Sequence, residues 1–220
     1  MIKPKITAVP SIRRLPSYLH VIRRLQCENT EYISGTIIAQ ELNLEPIQVR
    51  KDLAITGIIG KPKRGYPVRD LINAIERYLT WDCTLNGVIV GVGNLGTALM
   101  GYREFKLHGF NVVAAFDKDP KKIGSLVHGI QVKSIDSMES EIRSLGVKVA
   151  FLTVPSEAAQ ETADILIRGG IEGIWNFTNT KLKIPENVVV QKEDLSSGYA
   201  MLCVMMQAKY LEEKHASHKK

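Results

Sequence analysis

Gly91, Gly93 and Gly96 stand in the spacing Gly-x-Gly-x-x-Gly, and Asp117 follows twenty-one residues after the last of them. Residues of these types in this order suit a dinucleotide. Gly91 permits a tight turn, Gly93 lets the backbone come close to a pyrophosphate, and Gly96 lets a helix pack near a strand. The N–H groups along Gly91-Val92-Gly93-Asn94-Leu95-Gly96 then face the phosphates at a helix start. Asp117 accepts hydrogen bonds from the adenosine ribose and repels a 2′-phosphate, which favours NAD(H) over NADP(H). Lys118, Lys121 and Lys122 lie close by and soften that exclusion.

The elements around these residues fit the same chemistry. The apolar run Val88-Ile89-Val90 leads into the glycines, Thr97 to Met100 reads as a helix, and Val112 to Phe116 is a second strand ending at the acid. Further on come a strand at Ile130-Gln131-Val132, a helix from a Ser137 cap to Leu145, a strand from Val147 to Thr153, a helix after Pro155, and a strand from Ile171 to Trp175. Strands alternating with helices predict a parallel sheet covered on both faces. Ligands bind beyond the carboxyl ends of such strands, which brings Thr153, Val154, Pro155 and Asn176 toward the glycine turn.

A hydride-transfer enzyme needs an acid or base against the substrate carbonyl. None is well placed. His108 follows the first helix of the sheet domain, His128 falls in a turn, and His215 and His218 stand in a Lys-rich tail. No substrate domain follows the sheet, so the dinucleotide reads as a signal rather than a reagent, and no metal is expected.

Upstream lie about eighty residues of another character. Residues 1–80 hold 13 Lys/Arg against 7 Asp/Glu, whereas residues 81–220 hold 16 of each. The whole net charge of +6 therefore sits in the first third of the chain, as expected for a module that meets a polyanion. Leu15, Tyr18, Leu19, Ile22 and Leu25 recur at helical spacing, with Pro16 in the first turn of that helix or at a break before it. Ser34 caps a second short helix over Thr36 to Leu42, and Pro46 opens a third that runs to about Thr56, before Gly57.

The short link between the second and third helices suits a helix-turn-helix. On the third, Val49 and Leu53 face the core, while Gln48 and Lys51, flanked by Arg50, project from another face toward bases and phosphates. Ile58-Ile59, the cationic tip of Lys61, Lys63 and Arg64, and Tyr66-Pro67-Val68 then read as a wing hairpin. Ser34 and Tyr66 are counted with the DNA-facing residues.

No apolar run approaches the roughly 20 residues of a membrane span, and no signal-peptide core is present. Cys27, Cys83 and Cys203 are scattered without ligand spacing, which suggests a reducing, cytoplasmic setting. Between Asp194 and Leu211 apolar residues occupy more than one helical face, as for a helix that packs on a second subunit. The expected order is residues 1–80, a winged helix-turn-helix; 81–193, a Rossmann-like doubly wound α/β domain; and 194–220, a dimerisation helix and tail.

Several blocks together resemble the Rex family of redox-sensing transcriptional repressors. They are Arg14-Leu15-Pro16-Ser17-Tyr18-Leu19, Gln48-Val49-Arg50-Lys51-Asp52-Leu53, Gly93-Asn94-Leu95-Gly96, Ala115-Phe116-Asp117, Val154-Pro155 with Ala158-Ala159-Gln160, and Asn176-Phe177. The likeness runs from about Pro10 to Met206. It implies a homodimer that exchanges its last helix, binds palindromic operator DNA when NAD+ prevails and releases it when NADH accumulates. It places Gln48, Arg50 and Lys51 on the recognition helix and Lys61, Lys63 and Arg64 on the wing. Tyr102 and Asp194 match positions of a ligand-dependent network near the nicotinamide.

The chain departs from the family in three places. His20 stands where Arg is frequent, which implies a weaker or pH-dependent contact to Asp194. Leu195 stands where an aromatic is frequent, so packing on the nicotinamide differs. Ala54-Ile55-Thr56-Gly57 replaces a Ser-plus-aromatic pattern, which touches operator preference. The rival expectation is an NAD-dependent oxidoreductase with an accessory basic domain.

Overall fold

The computed structural model describes residues 8–217 and divides into two compact units. One runs to Thr84 and takes in Leu107–Gly109; the other comprises Leu85–Lys106 and the chain from Phe110 onward. Each has a core of its own.

In the first unit α1 (Val9–Cys27) is followed by β1 (Tyr32–Ile33), α2 (Gly35–Glu41), α3 (Pro46–Ala54), β2 (Tyr66–Pro67) and α4 (Val68–Tyr78). Leu15, Tyr18, Leu19 and Ile22 of α1 are buried with Ile38 of α2, Val49 and Leu53 of α3, and Leu71 and Ile75 of α4. The Ser34 hydroxyl accepts from the Ile37 N–H at 3.3 Å and so caps α2.

Two local expectations are corrected. Pro16 neither starts α1 nor breaks it; the helix begins at Val9 and runs through it, because Pro10 fills the opening turn. The strand beside Tyr66–Pro67 is Tyr32–Ile33 rather than Ile58-Ile59. The wing itself closes on an isolated Lys61–Gly65 bridge, with the Lys61 N–H donating to the Gly65 carbonyl at 2.7 Å. A two-residue strand has no periodicity to read.

The second unit contains β3 (Leu85–Val90), α5 (Asn94–Met100), α6 (Arg103–Leu107, whose last residue falls in the first unit), β4 (Phe110–Asp117), β5 (Leu126–Val127), β6 (Ile130–Ser134), α7 (Met138–Leu145), β7 (Val149–Leu152), α8 (Ala159–Gly169), β8 (Gly173–Asn176), β9 (Val189–Lys192) and α9 (Leu195–Ser217). The strands form one sheet in the order β5-β6-β4-β3-β7-β8-β9. All its pairings are parallel except that of β5 with β6. The order reverses between β3 and β7, the topological switch at which such sheets bind ligands. Met138 and Ile142 of α7 and Ala163 and Leu166 of α8 cover one face; Met100 of α5 and Phe105 of α6 pack on the other.

The crossover from β4 to β6 has no helix. Pro120, Gly124 and Gly129 interrupt it, and the chain forms a turn and the β5–β6 hairpin instead. The Ser137 cap is also corrected. Ser137 makes no capping bond to α7; the Ser134 hydroxyl accepts from the Asp136 N–H at 3.2 Å one turn earlier.

Candidate functional site

The glycine turn lies between the carboxyl end of β3 and α5. Gly91 has φ of +94°, and a Cβ there would stand 2.7 Å from the Thr153 carbonyl oxygen. A Cβ on Gly96 would stand 2.0 Å from the Gly91 carbonyl oxygen. Neither position has room for a side chain. Gly93 differs: a Cβ there would meet nothing within 4 Å, and its φ of −84° is ordinary. The space above Gly93 is therefore free for a ligand to approach the backbone, and in this respect the residues present fit a dinucleotide.

Asp117 ends β4 beside this turn and is 8% exposed. Its Oδ2 accepts from the Val92 N–H at 2.7 Å and from Lys122 Nζ at 3.2 Å, and its Oδ1 accepts from the Asp119 N–H at 2.9 Å. Burial opposes ionisation, but the N–H groups of Asp119 and Val92, and then Lys122, outweigh it and hold the carboxyl below its ordinary range. The acid is thus both a charge facing the cleft and the brace of the turn.

A cleft of 430 Å³ brings together Gly91, Gly93, Asp117, Lys118, Thr153, Val154 and Pro155 of the expected set, with Asp119, Lys122 and Thr162. The Thr153 hydroxyl donates to the carbonyls of Val90 and Gly91, at 3.0 and 2.7 Å, and pins the turn. Val92 is buried, whereas Asn94 is exposed at the start of α5 and Leu95 is half-buried. Asn176 is buried with its amide engaged: Oδ1 accepts from the Thr178 N–H and hydroxyl at 2.9 and 2.8 Å, and Nδ2 donates to the Thr180 carbonyl at 2.9 Å. It braces the loop after β8.

None of the four residues expected to form a switch is among those that line that cleft. Tyr102 is exposed and meets Phe105 edge-on at 4.9 Å. Asp194 caps α9, accepting from the Ser196 N–H at 3.0 Å and from the Ser196 hydroxyl, and these bonds hold its carboxyl below the usual range. Leu195 is exposed on α9, and His20 is exposed on α1. The side chains of His215 and His218 lie outside the described residues. Among the described residues no group of three or more His, Cys, Asp or Glu is arranged to hold a metal ion.

In the first unit Arg50, Lys51, Lys61, Lys63 and Arg64 are exposed. Gln48 Nε2 donates to Asp52 Oδ1 at 2.8 Å, so its amide is oriented from within its own helix. Asp52 is fully buried and also accepts from Arg14 and from the Tyr18 hydroxyl. Burial would push its pKa up; the bonds from Arg14, Tyr18, Ser11 and Gln48 hold it far below the carboxylate range. Burial, then the bond to Asp52, pushes Tyr18 up, and Arg14 is raised by its bond to Asp52. At the wing, Lys61 Nζ donates to the Tyr32 hydroxyl at 3.0 Å, and the Arg64 guanidinium lies 4.5 Å from the centre of the Tyr32 ring. Asp52 and Tyr32 were not among the expected site residues. Asp52 lies within the Gln48-to-Leu53 segment that resembles the Rex family, and Tyr32 precedes the cap residue Ser34 by two positions.

Residues 7–54 match the family described as a putative DNA-binding protein N-terminus, and residues 82–180 match the CoA binding domain family. A redox-sensing transcriptional repressor Rex of Treponema denticola is 56% identical over 209 residues, covering 95% of this chain and all of that protein. Another, of Caldicellulosiruptor saccharolyticus, is 36% identical over the full length of both. Among solved structures, a complex of the Rex-family repressor RSP with β-NAD+ and operator DNA superposes with a TM-score of 0.85 at 32% identity, covering 96% of this chain and 97% of the other. The same repressor with β-NADH gives 0.84 at 31% identity, covering 96% and 99%.

Proposed function

The chain belongs to the Rex family of redox-sensing transcriptional repressors, and we propose that it binds palindromic operator DNA and leaves it when NADH occupies the cleft beside Gly93. The observation that carries this reading is the open approach to Gly93 next to a braced, ionised Asp117, in a chain that also bears an exposed cationic helix and wing. NAD(H) is read here as a sensed ligand. Gly91 to Gly96 would hold its pyrophosphate, Asp117 its adenosine ribose, and Thr153 to Pro155 would border the nicotinamide end. NAD(H) brings two redox states that differ by a positive charge on one ring. An uncharged ring enters an apolar surrounding more readily than a cationic one, which loses hydration there.

The acting species is a homodimer. Every described side chain of α9 is exposed, including Leu195, Tyr199, Met201, Leu202, Val204, Met205 and Tyr210. So much apolar surface on an isolated helix calls for a partner, and a second copy supplies a matching set. His20, Tyr102, Asp194 and Leu195 would then respond to ligand across the dimer. Ser34, Gln48, Arg50 and Lys51 would meet the major groove, and Lys61, Lys63, Arg64 and Tyr66 the minor groove and phosphates. No helix among the described residues is long and apolar enough to cross a membrane, and operator DNA as partner puts the protein in the cytoplasm.

The test is a gel shift on palindromic DNA, titrated separately with NADH and NAD+. NADH releases the DNA and NAD+ retains it. To reverse occupancy nearly completely, NADH must favour one state by about 5 kcal/mol over the other. Retention unaffected by either nucleotide rejects the reading.

A further inference from the structure

We propose that Ile47 is a base-reading residue: on the reading that α3 enters the major groove of operator DNA, its side chain recognises the C5-methyl group of one thymine in each half-site.

The exposed residues of α3 are Ile47, Arg50, Lys51 and Ala54. Their spacing, i, i+3, i+4 and i+7, makes one stripe along the helix. Val49, Asp52 and Leu53 are buried on the other side. Gln48 stands at the border, half-buried, with its amide drawn to Asp52 at 2.8 Å. Ile47 is 62% exposed and is not among the hydrophobics that pack on the core of its unit. A single exposed apolar side chain is ordinary. One that shares a stripe with two cations, on the helix expected to meet DNA, has a specific complement.

Arg50 and Lys51 carry donors and no acceptor. They can bind guanine or phosphate oxygens, but they do not recognise a methyl group. Thymine alone among the four bases presents a methyl in the major groove, and apolar side chains recognise it. Ile47 and Ala54 are the apolar members of the stripe. The first turn of a recognition helix is the part that meets base edges, which selects Ile47 over Ala54 at the far end.

The backbone that carries Ile47 is fixed. Pro46 opens the helix, Val49 and Leu53 are anchored in the core, and Arg14 of α1 holds Asp52. A Cβ on Gly35 would stand 3.3 Å from Arg50 Cγ, so the Arg50 stem is seated against the start of α2. The β-branched side chain of Ile47 has little rotamer freedom to lose on contact.

The experiment begins with full-length wild type selecting its palindromic site from random duplex DNA. Each thymine of one half-site and its symmetry mate are then replaced by deoxyuridine, which removes the methyl and keeps the pairing edge. Fluorescence anisotropy at fixed salt, without NADH, measures the affinity of wild type, Ile47→Ala and Ile47→Val. At one thymine pair the replacement weakens wild type by about fourfold per half-site, and so about fifteenfold for the pair. The same replacement costs Ile47→Ala about twofold or less, and Ile47→Val falls between. Replacements that cost wild type and Ile47→Ala alike at every position overturn the proposal, as does a selected half-site without thymine. Unchanged thermal melting and NADH affinity of the variants separate base reading from folding. If wild type selects no site, the operator-binding reading falls with it. A selected site at which no replacement distinguishes the variants sinks the Ile47 proposal alone.

Discussion

Arg14 of α1 holds Asp52 of α3 through two hydrogen bonds, from Nε at 2.6 Å and from Nη2 at 2.9 Å. The third helix is thereby fastened to the first by a fully buried carboxylate. Tyr18 adds a bond at 2.5 Å from the same side, and Gln48 adds one at 2.8 Å from one turn earlier in α3. The amide expected to read a base shares its acceptor with the core.

Asp52→Asn should destabilise the first unit by roughly 3 kcal/mol, because it leaves Arg14 without its buried counter-charge. Operator affinity should fall with it, and NADH affinity should not change. Chemical denaturation, a gel shift and an NADH titration check the three parts. Loss of NADH binding would contradict this assignment.

Acid should act on the same carboxylate. The folded-state pKa of Asp52 lies below its unfolded value of about 3.9. Its contribution is therefore present above the unfolded pKa and is lost as pH falls from about 4 toward the folded value. The denaturation midpoint of wild type should drop across that window more steeply than that of Asp52→Asn. Equal slopes would show that other acids carry the effect.

Tyr32 gathers two wing cations, one by its hydroxyl and one by its ring. Tyr32→Ala should weaken operator binding by about tenfold through lost positioning, while the dependence of affinity on salt stays as in wild type. Lys61→Ala should instead reduce that salt slope by about 0.9. Binding measured from low to moderate salt tells the two apart.

Gly93 and Gly96 should respond in opposite ways to alanine. Gly96→Ala places a methyl against the Gly91 carbonyl and should lower the melting temperature of the sheet unit. Gly93→Ala meets open space and should leave melting unchanged while weakening NADH by about tenfold or more. A Gly93→Ala protein with normal NADH affinity would place the pyrophosphate elsewhere.

Leu202→Glu combined with Met205→Glu puts two charges on the apolar surface of α9. Light scattering should report dimers for wild type and monomers for the variant, with operator binding lost and each unit still folded by circular dichroism. A dimer that persists would mean that another surface holds the copies together.

The glycine turn and Asp117 were legible because a tight turn, a helix start and a strand-end acid are each written in neighbouring residues. The faces of α1 and α3 were legible for a similar reason, since apolar spacing reports burial directly. The joint between Arg14 and Asp52 was not, because 38 residues separate two polar groups that nothing local pairs. Tyr32–Ile33 and Leu126–Val127 are too short to show a period. Pro16 suggested a helix start that Pro10 had already supplied. Asn176 stood at the right strand end, yet the loop that follows takes up its amide. Lys122 was visible only as one of three lysines; its bond to Asp117 singles it out.

The bond from the Val92 N–H to Asp117 ties the glycine turn to the end of β4. A turn tied in this way has less to rearrange when a ligand arrives, so the first encounter should be governed by diffusion and by the width of the mouth. Reduced and oxidised coenzyme should then arrive at similar speeds and differ in how long they stay. The cell's redox history would be recorded as residence time.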